Sequence, residues 1–117
     1  MIDFNNALGV TARVLDATAT RAKVILHNIA NQNTPGFKRF TVSFEERLRD
    51  AHEAGESGAN VRPIVTRDES GPPGENNVNV QRELAMLEKV TLLNEMFARR
   101  AGGYFAHLKK AIRGGGG

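Results

Sequence analysis

The chain has no cysteine and no tryptophan among its 117 residues. The missing cysteines exclude disulfides, Cys-ligated zinc and a thiol nucleophile. Aromatics are scarce, six Phe and one Tyr. No apolar run approaches the roughly 20 residues that a membrane-spanning helix needs. The start lacks a charged region followed by an apolar one, so no signal peptide of the general secretory kind is expected. Proline and glycine are depleted at both ends. All four prolines (Pro35, Pro63, Pro72 and Pro73) lie in the middle of the chain, between residues 35 and 73. From Met1 to Thr34 the only glycine is Gly9, and between Glu75 and Arg113 there are only Gly102 and Gly103. Two proline-free ends therefore flank a proline-bearing middle, and the length suits one small structural domain.

Both ends carry helical periodicity. The first reads as one helix from Phe4 to about Asn31. Phe4, Leu8, Thr11, Leu15, Thr18, Ala22, Ile25 and Ile29 alternate spacings of four and three, the a/d pattern of a coiled coil. Asp3 is the expected N-cap. Pro35 disfavours the α region at Thr34, and Gly36 accepts positive φ, so the helix must stop there. The other end repeats the pattern through Val80, Leu84, Leu87, Thr91, Asn94, Ala98, Ala101, Phe105, Leu108 and Ile112, with Asn79 as N-cap. Lys109, Lys110 and Arg113 suit the negative end of that helix dipole. Gly102-Gly103 weakens the helix, and the terminal glycines read as a frayed tail.

Each helix carries a second stripe one residue before the first. It comprises Ala7, Val10, Val14, Ala17, Arg21 and Val24 in one, and Met86, Val90, Leu93, Phe97, Arg100 and Tyr104 in the other. One residue turns about 100° around the axis, so each helix is apolar over more than one neighbour covers. A lone hairpin of the two leaves the second stripes exposed. The expectation is that they are buried by other subunits, and that the ends gain order on assembly.

The middle is mixed. Ser43 and Glu46 fit a capping box ahead of a short helix at 44–53, with Phe44, Leu48 and Ala51 on one face. Residues 54–60 read as loop. Residues 61–66 suit a short strand or extended coil, with Pro63 confining a strand to an edge. Residues 70–76 read as a loop or mobile linker. The expected organisation is a heptad helix over 1–33, a connector over 34–78 and a second heptad helix with its glycine tail over 79–117. The fold class is mainly α: the long helices pair as an antiparallel coiled coil, joined by a partly irregular middle holding a short helix and room for short strands.

No constellation carries catalytic chemistry. His27, His52 and His107 are isolated, with no partner at metal-ligand spacing, and there is no GxGxxG or Walker loop. Glu45-Glu46 reads as a capping feature rather than an acid/base pair. No catalytic, cofactor-binding or metal site is expected. The formal charge of +3 concentrates on the last segment, where residues 80–117 hold seven basic and three acidic residues. Nucleic-acid binding would need salt-dependent affinity from that helix, but its basic residues are scattered around the axis rather than striped. A discrete coiled-coil adaptor is the other competing reading, and it would form a small closed oligomer.

The stretch Asn28, Ile29, Ala30, Asn31, Gln32, Asn33, Thr34, Pro35, Gly36, Phe37, Lys38 closes the first heptad helix. It resembles the signature of the bacterial flagellar rod and hook family of axial proteins, roughly N-[IL]-A-N-x-x-T-x-G-[FY]-[KR], with every fixed position present. Residues 42–48 resemble the continuation in the short rod members at the proximal end. So do residues 74–80 leading into Glu83 and Met86, although Asn79 stands where Asp is usual and Glu75-Asn76 shifts the spacing. Large inserted domains of the distal relatives are absent. Asn28, Asn31, Pro35 and Gly36 also have a purely structural reading as a helix end and turn.

The resemblance implies a non-enzymatic building block of the basal-body rod. It implies helix packing through Phe4, Leu8, Leu15, Ile25, Ile29, Leu84, Leu87, Phe105, Leu108 and Ile112. Subunit contacts would then fall on Val10, Val14, Val24, Val90, Leu93, Phe97 and Tyr104. The implied partners are copies of itself, other rod subunits, the basal-body junction protein at the membrane ring and the flagellar type III export gate, with no nucleic acid and no membrane span. The implied location is the periplasmic rod, reached through the flagellar type III pathway without a cleaved signal peptide. The implied role is a helical drive shaft and export conduit. Early substrates of that pathway carry a Phe-x-x-x-hydrophobic element. Phe44 with Leu48 fits it, as does Phe40 with Phe44, and a packed Phe on a capped helix accounts for the same residues.

Overall fold

A computed structural model describes residues 3–114. The elements are helix α1 (Phe4–Ala30), strand β1 (Phe40–Ser43), helix α2 (Glu45–Glu53), a 3-10 turn at Gly58–Asn60, strand β2 (Ile64–Arg67) and helix α3 (Val80–Gly114). Of the four terminal glycines expected to fray, Gly114 is the last residue of α3 and Gly115–Gly117 lie outside the described residues, as does the Phe4 side chain. No described helix is long and apolar enough to cross a membrane.

Local signals set the ends of the long helices. Asp3 caps α1, its Oδ1 accepting from the Asn6 N–H at 3.1 Å. Asn79 caps α3 through Oδ1 and the Arg82 N–H at 3.1 Å. These bonds satisfy donors that have no partner within the helix. Asn31 terminates α1, four residues before Pro35. Gly36 follows with φ +73°, the left-handed conformation expected there. Gly102 and Gly103 lie within α3 and do not interrupt it.

α1 and α3 run antiparallel. Asn94 donates to the Thr18 hydroxyl at 2.7 Å, while Asn28 reaches Glu83. Thr11 and Thr18 sit buried along this seam, and each donates its hydroxyl to a carbonyl of its own helix, Ala7 at 2.8 Å and Leu15 at 3.0 Å. Such back-bonding lets a polar residue occupy an apolar seam at little cost. At a common rise per residue, the start of α1 stands level with about Leu108, so the last turn of α3 projects beyond it. The molecule is long and flat, 66 × 29 × 14 Å.

The connector folds back on α1. β1 and β2 pair antiparallel, Phe40 opposite Arg67 through Ser43 opposite Ile64. Pro63 stands immediately before β2, where its missing N–H costs the ladder nothing. Ala17, Phe44, Ala51 and Val61 form a buried cluster, with Val14 and Leu48 packed against it. Arg21 on α1 holds Glu45 on α2 by paired hydrogen bonds and also donates to the Val42 carbonyl at 3.2 Å. A Cβ on Gly9 would come within 2.5 Å of the Ala59 Cβ, so α1 and the 3-10 turn approach as closely as glycine permits.

Three expectations need correction. Ser43 does not cap α2: it is consumed in the β ladder, the N-cap position is Phe44, and no side chain caps the helix. The first half of the second α1 stripe, expected at subunit contacts, is met inside the chain, while Val24 lines an open groove. Val14 packs on the buried cluster and Val10 lies against Gly58, because the connector supplies the cover assigned to neighbours. The stripes of α3 also change roles. Val90 is buried, whereas Leu84, Phe105, Leu108 and Ile112 are exposed, Ile112 at 71%. The covered seam, Glu83, Leu87, Val90, Asn94, Phe97, Ala101 and Tyr104, keeps the alternation of four and three but takes Val90, Phe97 and Tyr104 from the second stripe, and the last of the exposed residues lie where α1 has run out.

Candidate functional site

The two segments that carry the sequence resemblance meet in space. Asn28, on the last turn of α1, is fully buried. Its Nδ2 donates to the Phe40 carbonyl at 2.9 Å, and its Oδ1 accepts from the Phe40 N–H at 2.8 Å. One side-chain amide thereby stands in for a backbone partner and stitches helix to strand. The same Nδ2 approaches Glu83 on α3 at 3.4 Å. Glu83 is also fully buried, and its Oε1 accepts from Arg39 Nε at 2.6 Å. Arg39 Nη1 extends to Asp68 at 3.0 Å, just beyond β2. A buried carboxylate is tolerated only when paired and hydrogen-bonded, and this one is both.

The charges respond accordingly. Burial works against the Arg39 charge, but hydrogen bonds to Glu83 and Asp68 outweigh it and hold the guanidinium above its ordinary value. Asp68 is held at about 2, below its ordinary 3.8, by hydrogen bonds from Ser70 and then from Arg39. Arg21, through its hydrogen bonds, lowers Glu45.

Around this knot the 74–80 segment ties the helix end to the loop. Asn76 Nδ2 donates to the carbonyls of Asn31 at 2.9 Å and Thr34 at 2.8 Å. Asn77 Oδ1 accepts from the Arg39 N–H at 2.7 Å, and its Nδ2 donates to the Asp68 carbonyl at 2.7 Å. Lys38 is buried, with Nζ donating to the carbonyls of Pro72 at 2.8 Å and Ser70 at 3.2 Å. Residues 70–76, expected to be a loop or mobile linker, are thus a pinned loop. Phe37, Phe40 and His27 pack ring to ring, with centroids 5.8–6.0 Å apart. Asn31 turns its Nδ2 back to the His27 carbonyl at 2.8 Å and accepts from the Thr34 hydroxyl at 3.1 Å. Ala30, Pro35 and Gly36 are exposed on the turn.

This arrangement is a clasp. Its polar atoms are engaged with one another, and among the described residues no group of three His, Asp or Glu could hold a metal ion. What it does is fix the angle at which the connector leaves α1 and enters α3. Asn28, Asn31 and Phe37 belong to the expected motif set. Arg39, Asp68, Asn77 and Glu83 were not singled out as site residues, and only the positions of Asn77 and Glu83 within the resembling segments pointed to them.

The remaining expected residues divide by helix. Ile25 is buried, and Leu8, Leu15, Ile29 and Leu87 are half-buried. Val24 and Leu93 line a groove between α1, β1 and α3. Phe97 and Tyr104 are half-buried on α3, with the Arg100 guanidinium 5.6 Å over the Phe97 ring. Phe44, expected at export recognition, is 3% exposed in the core cluster with Leu48 beside it, so the folded chain offers neither as a free motif.

Outer α3 is the other candidate site. Leu84, Leu92, Met96, Phe105, Leu108 and Ile112 are all exposed along this single helix. Apolar exposure of this extent marks an interaction surface.

No family model matches the chain. It is 31% identical over 133 aligned positions to the flagellar basal body rod protein FlgB of Aeromonas hydrophila, the alignment covering 97% of each chain. It is 26% identical to FlgB of Bacillus subtilis over 96% of this chain and 97% of that one. A 51-residue stretch, 44% of this chain and 38% of the relative, is 45% identical to FlgB of Borreliella burgdorferi. With the signature segment, the paired end helices and the clasp that joins them, this similarity shows that the chain belongs to the FlgB family of flagellar basal body rod proteins.

Proposed function

We propose that this structural subunit of the flagellar rod packs side by side with copies of itself and with other rod subunits into a helical tube. The tube serves as drive shaft and export conduit. The observation that carries this is the set of large apolar residues exposed on more than one side of α3, in a chain whose other long helix is covered on two sides. Burying them against neighbours is the hydrophobic driving force for assembly. The rod contacts extend to the junction protein at the membrane ring, and the subunit stands in the periplasm.

In the same proposal, the chain reaches its place unfolded through the flagellar type III export gate, without a cleaved signal peptide. Phe44 and Leu48 are legible to the gate only before folding, since folding puts both into the core. A Phe44→Ala, Leu48→Ala chain still secreted at the natural level would remove that role.

The assembly reading is tested with Phe105→Glu, Ile112→Glu in cells lacking their own copy. Both positions are exposed in the single chain. The variant is expected to keep its helical circular-dichroism spectrum, to vanish from purified basal bodies and to leave the cells non-motile. Normal incorporation and motility would overturn the reading.

A further inference from the structure

The groove between α1, β1 and α3 holds about 460 Å³. Its floor is apolar, with Val24, Ile25, Val42, Met86, Val90 and Leu93. Its rim is basic, with Arg21, Arg39, Arg82 and Lys89 against a single Glu45. Arg21 is taken by Glu45, and Arg39 by Glu83 and Asp68. Arg82 and Lys89 form no ion pair among the described residues.

Another side of α3 carries the complement. Leu92 and Met96, one turn apart, are 58% and 54% exposed. At 100° per residue, Glu88, Leu92, Glu95 and Met96 fall within about 100° of arc, centred well away from Val90 and the groove. Glu88 and Glu95 also lack an ion pair among the described residues. One helix therefore presents an apolar ridge edged by two carboxylates, and a basic-rimmed apolar groove. Because they face different directions, a chain cannot fill its own groove with its own ridge.

We propose that the Leu92–Met96 ridge of one copy docks in the groove of the next, with Glu88 and Glu95 facing Arg82 and Lys89. This rests on the assembly reading above and names its contact. Ridge and groove are different surfaces, so the contact is heterologous. Each added copy keeps one ridge or groove free, and a rotation that does not close generates an open helix. The apolar pair supplies contact area, and the rim charges set register and reject inverted docking.

The absence of cysteine makes the test clean. Met86→Cys and Met96→Cys stand about 15 Å apart along one helix, too far for an intrachain disulfide. In flagellated cells carrying only the double variant, oxidation is expected to give a ladder beyond the dimer in purified basal bodies. Each single variant stays monomeric, and co-expressed singles stop at dimer. Basal bodies that contain the double variant but give no ladder overturn the proposal, as do dimers from one single variant. Where the double variant does not enter basal bodies that the natural chain enters, charge exchange decides. Arg82→Glu, Lys89→Glu is expected to lose incorporation at least tenfold, and adding Glu88→Lys, Glu95→Lys to restore it; unrestored loss overturns the proposal. Absence of the natural chain itself from basal bodies overturns the assembly reading as well.

Discussion

Along α1, Thr11, Ala17, Thr18, Ile25 and Asn28 are buried; along the longer α3, only Glu83 and Val90 are. Both helices carry two apolar stripes in sequence. α1 spends one on α3 and the other on the folded-back connector, whose Phe44, Ala51 and Val61 close over Ala17. α3 spends part of its apolar surface on α1 and leaves Leu92, Met96, Phe105 and Ile112 to solvent. The lesson is that amphipathic periodicity counts the faces a helix must bury without naming what buries each one. Here a proline-bearing connector decides it, and it leaves one helix mostly covered and the other largely open.

Glycines mark the same contrast. Gly9 on α1 is pressed against Ala59, while nothing lies within 4 Å of a Cβ built on Gly102 or Gly103 of α3. One glycine is required by a neighbour, and the others stand on the open side of α3, where they weaken the helix.

The largest effect is expected where the two helices are locked together. Glu83→Ala leaves Arg39 buried without its closest partner and should cost about 3–5 kcal/mol in denaturant unfolding of the monomer. A loss below 1 kcal/mol would mean that the clasp does not hold the helices. Gly9→Ala gains helix propensity but forces the connector off α1. A net loss of about 1–2 kcal/mol is expected from thermal melts, and a gain would deny that the connector covers α1 tightly. Acid adds a graded probe of the clasp. Asp68 titrates lower folded than unfolded, so its contribution is full above about pH 4 and is lost as pH falls toward 2. Asp68→Asn should flatten that part of the stability profile, and an unchanged profile would place the acid sensitivity elsewhere. The smallest effect is expected at the open helix. Gly102→Ala should stabilise by about 0.5–1 kcal/mol, since no neighbour opposes the added methyl. A destabilisation would reveal a contact there within the single chain.

Much of this was legible in the sequence. Asp3 and Asn79 cap their helices as expected because a cap is a local event, settled within three residues. The antiparallel pairing follows from two long periodic segments and a short connector. Ser43 misled because its hydroxyl suits a cap while its backbone was claimed by a strand 21 residues away, through Ile64. The clasp was half legible. Asn28 and Asn31 stand out in the motif, but the partners of Arg39 lie 29 and 44 residues along the chain, beyond any periodic signal. The covering of Val10 and Val14 by the connector was hidden for the same reason: it depends on where a turn sends the chain.

The central claim is that most of α1 is covered within the chain and that α3 is completed by neighbours. Amide hydrogen exchange of the dilute monomer tests it most directly. The account predicts slow exchange over residues 11–28 and fast exchange over residues 95–112. Protection of 95–112 equal to that of 11–28 in the dilute monomer would contradict it.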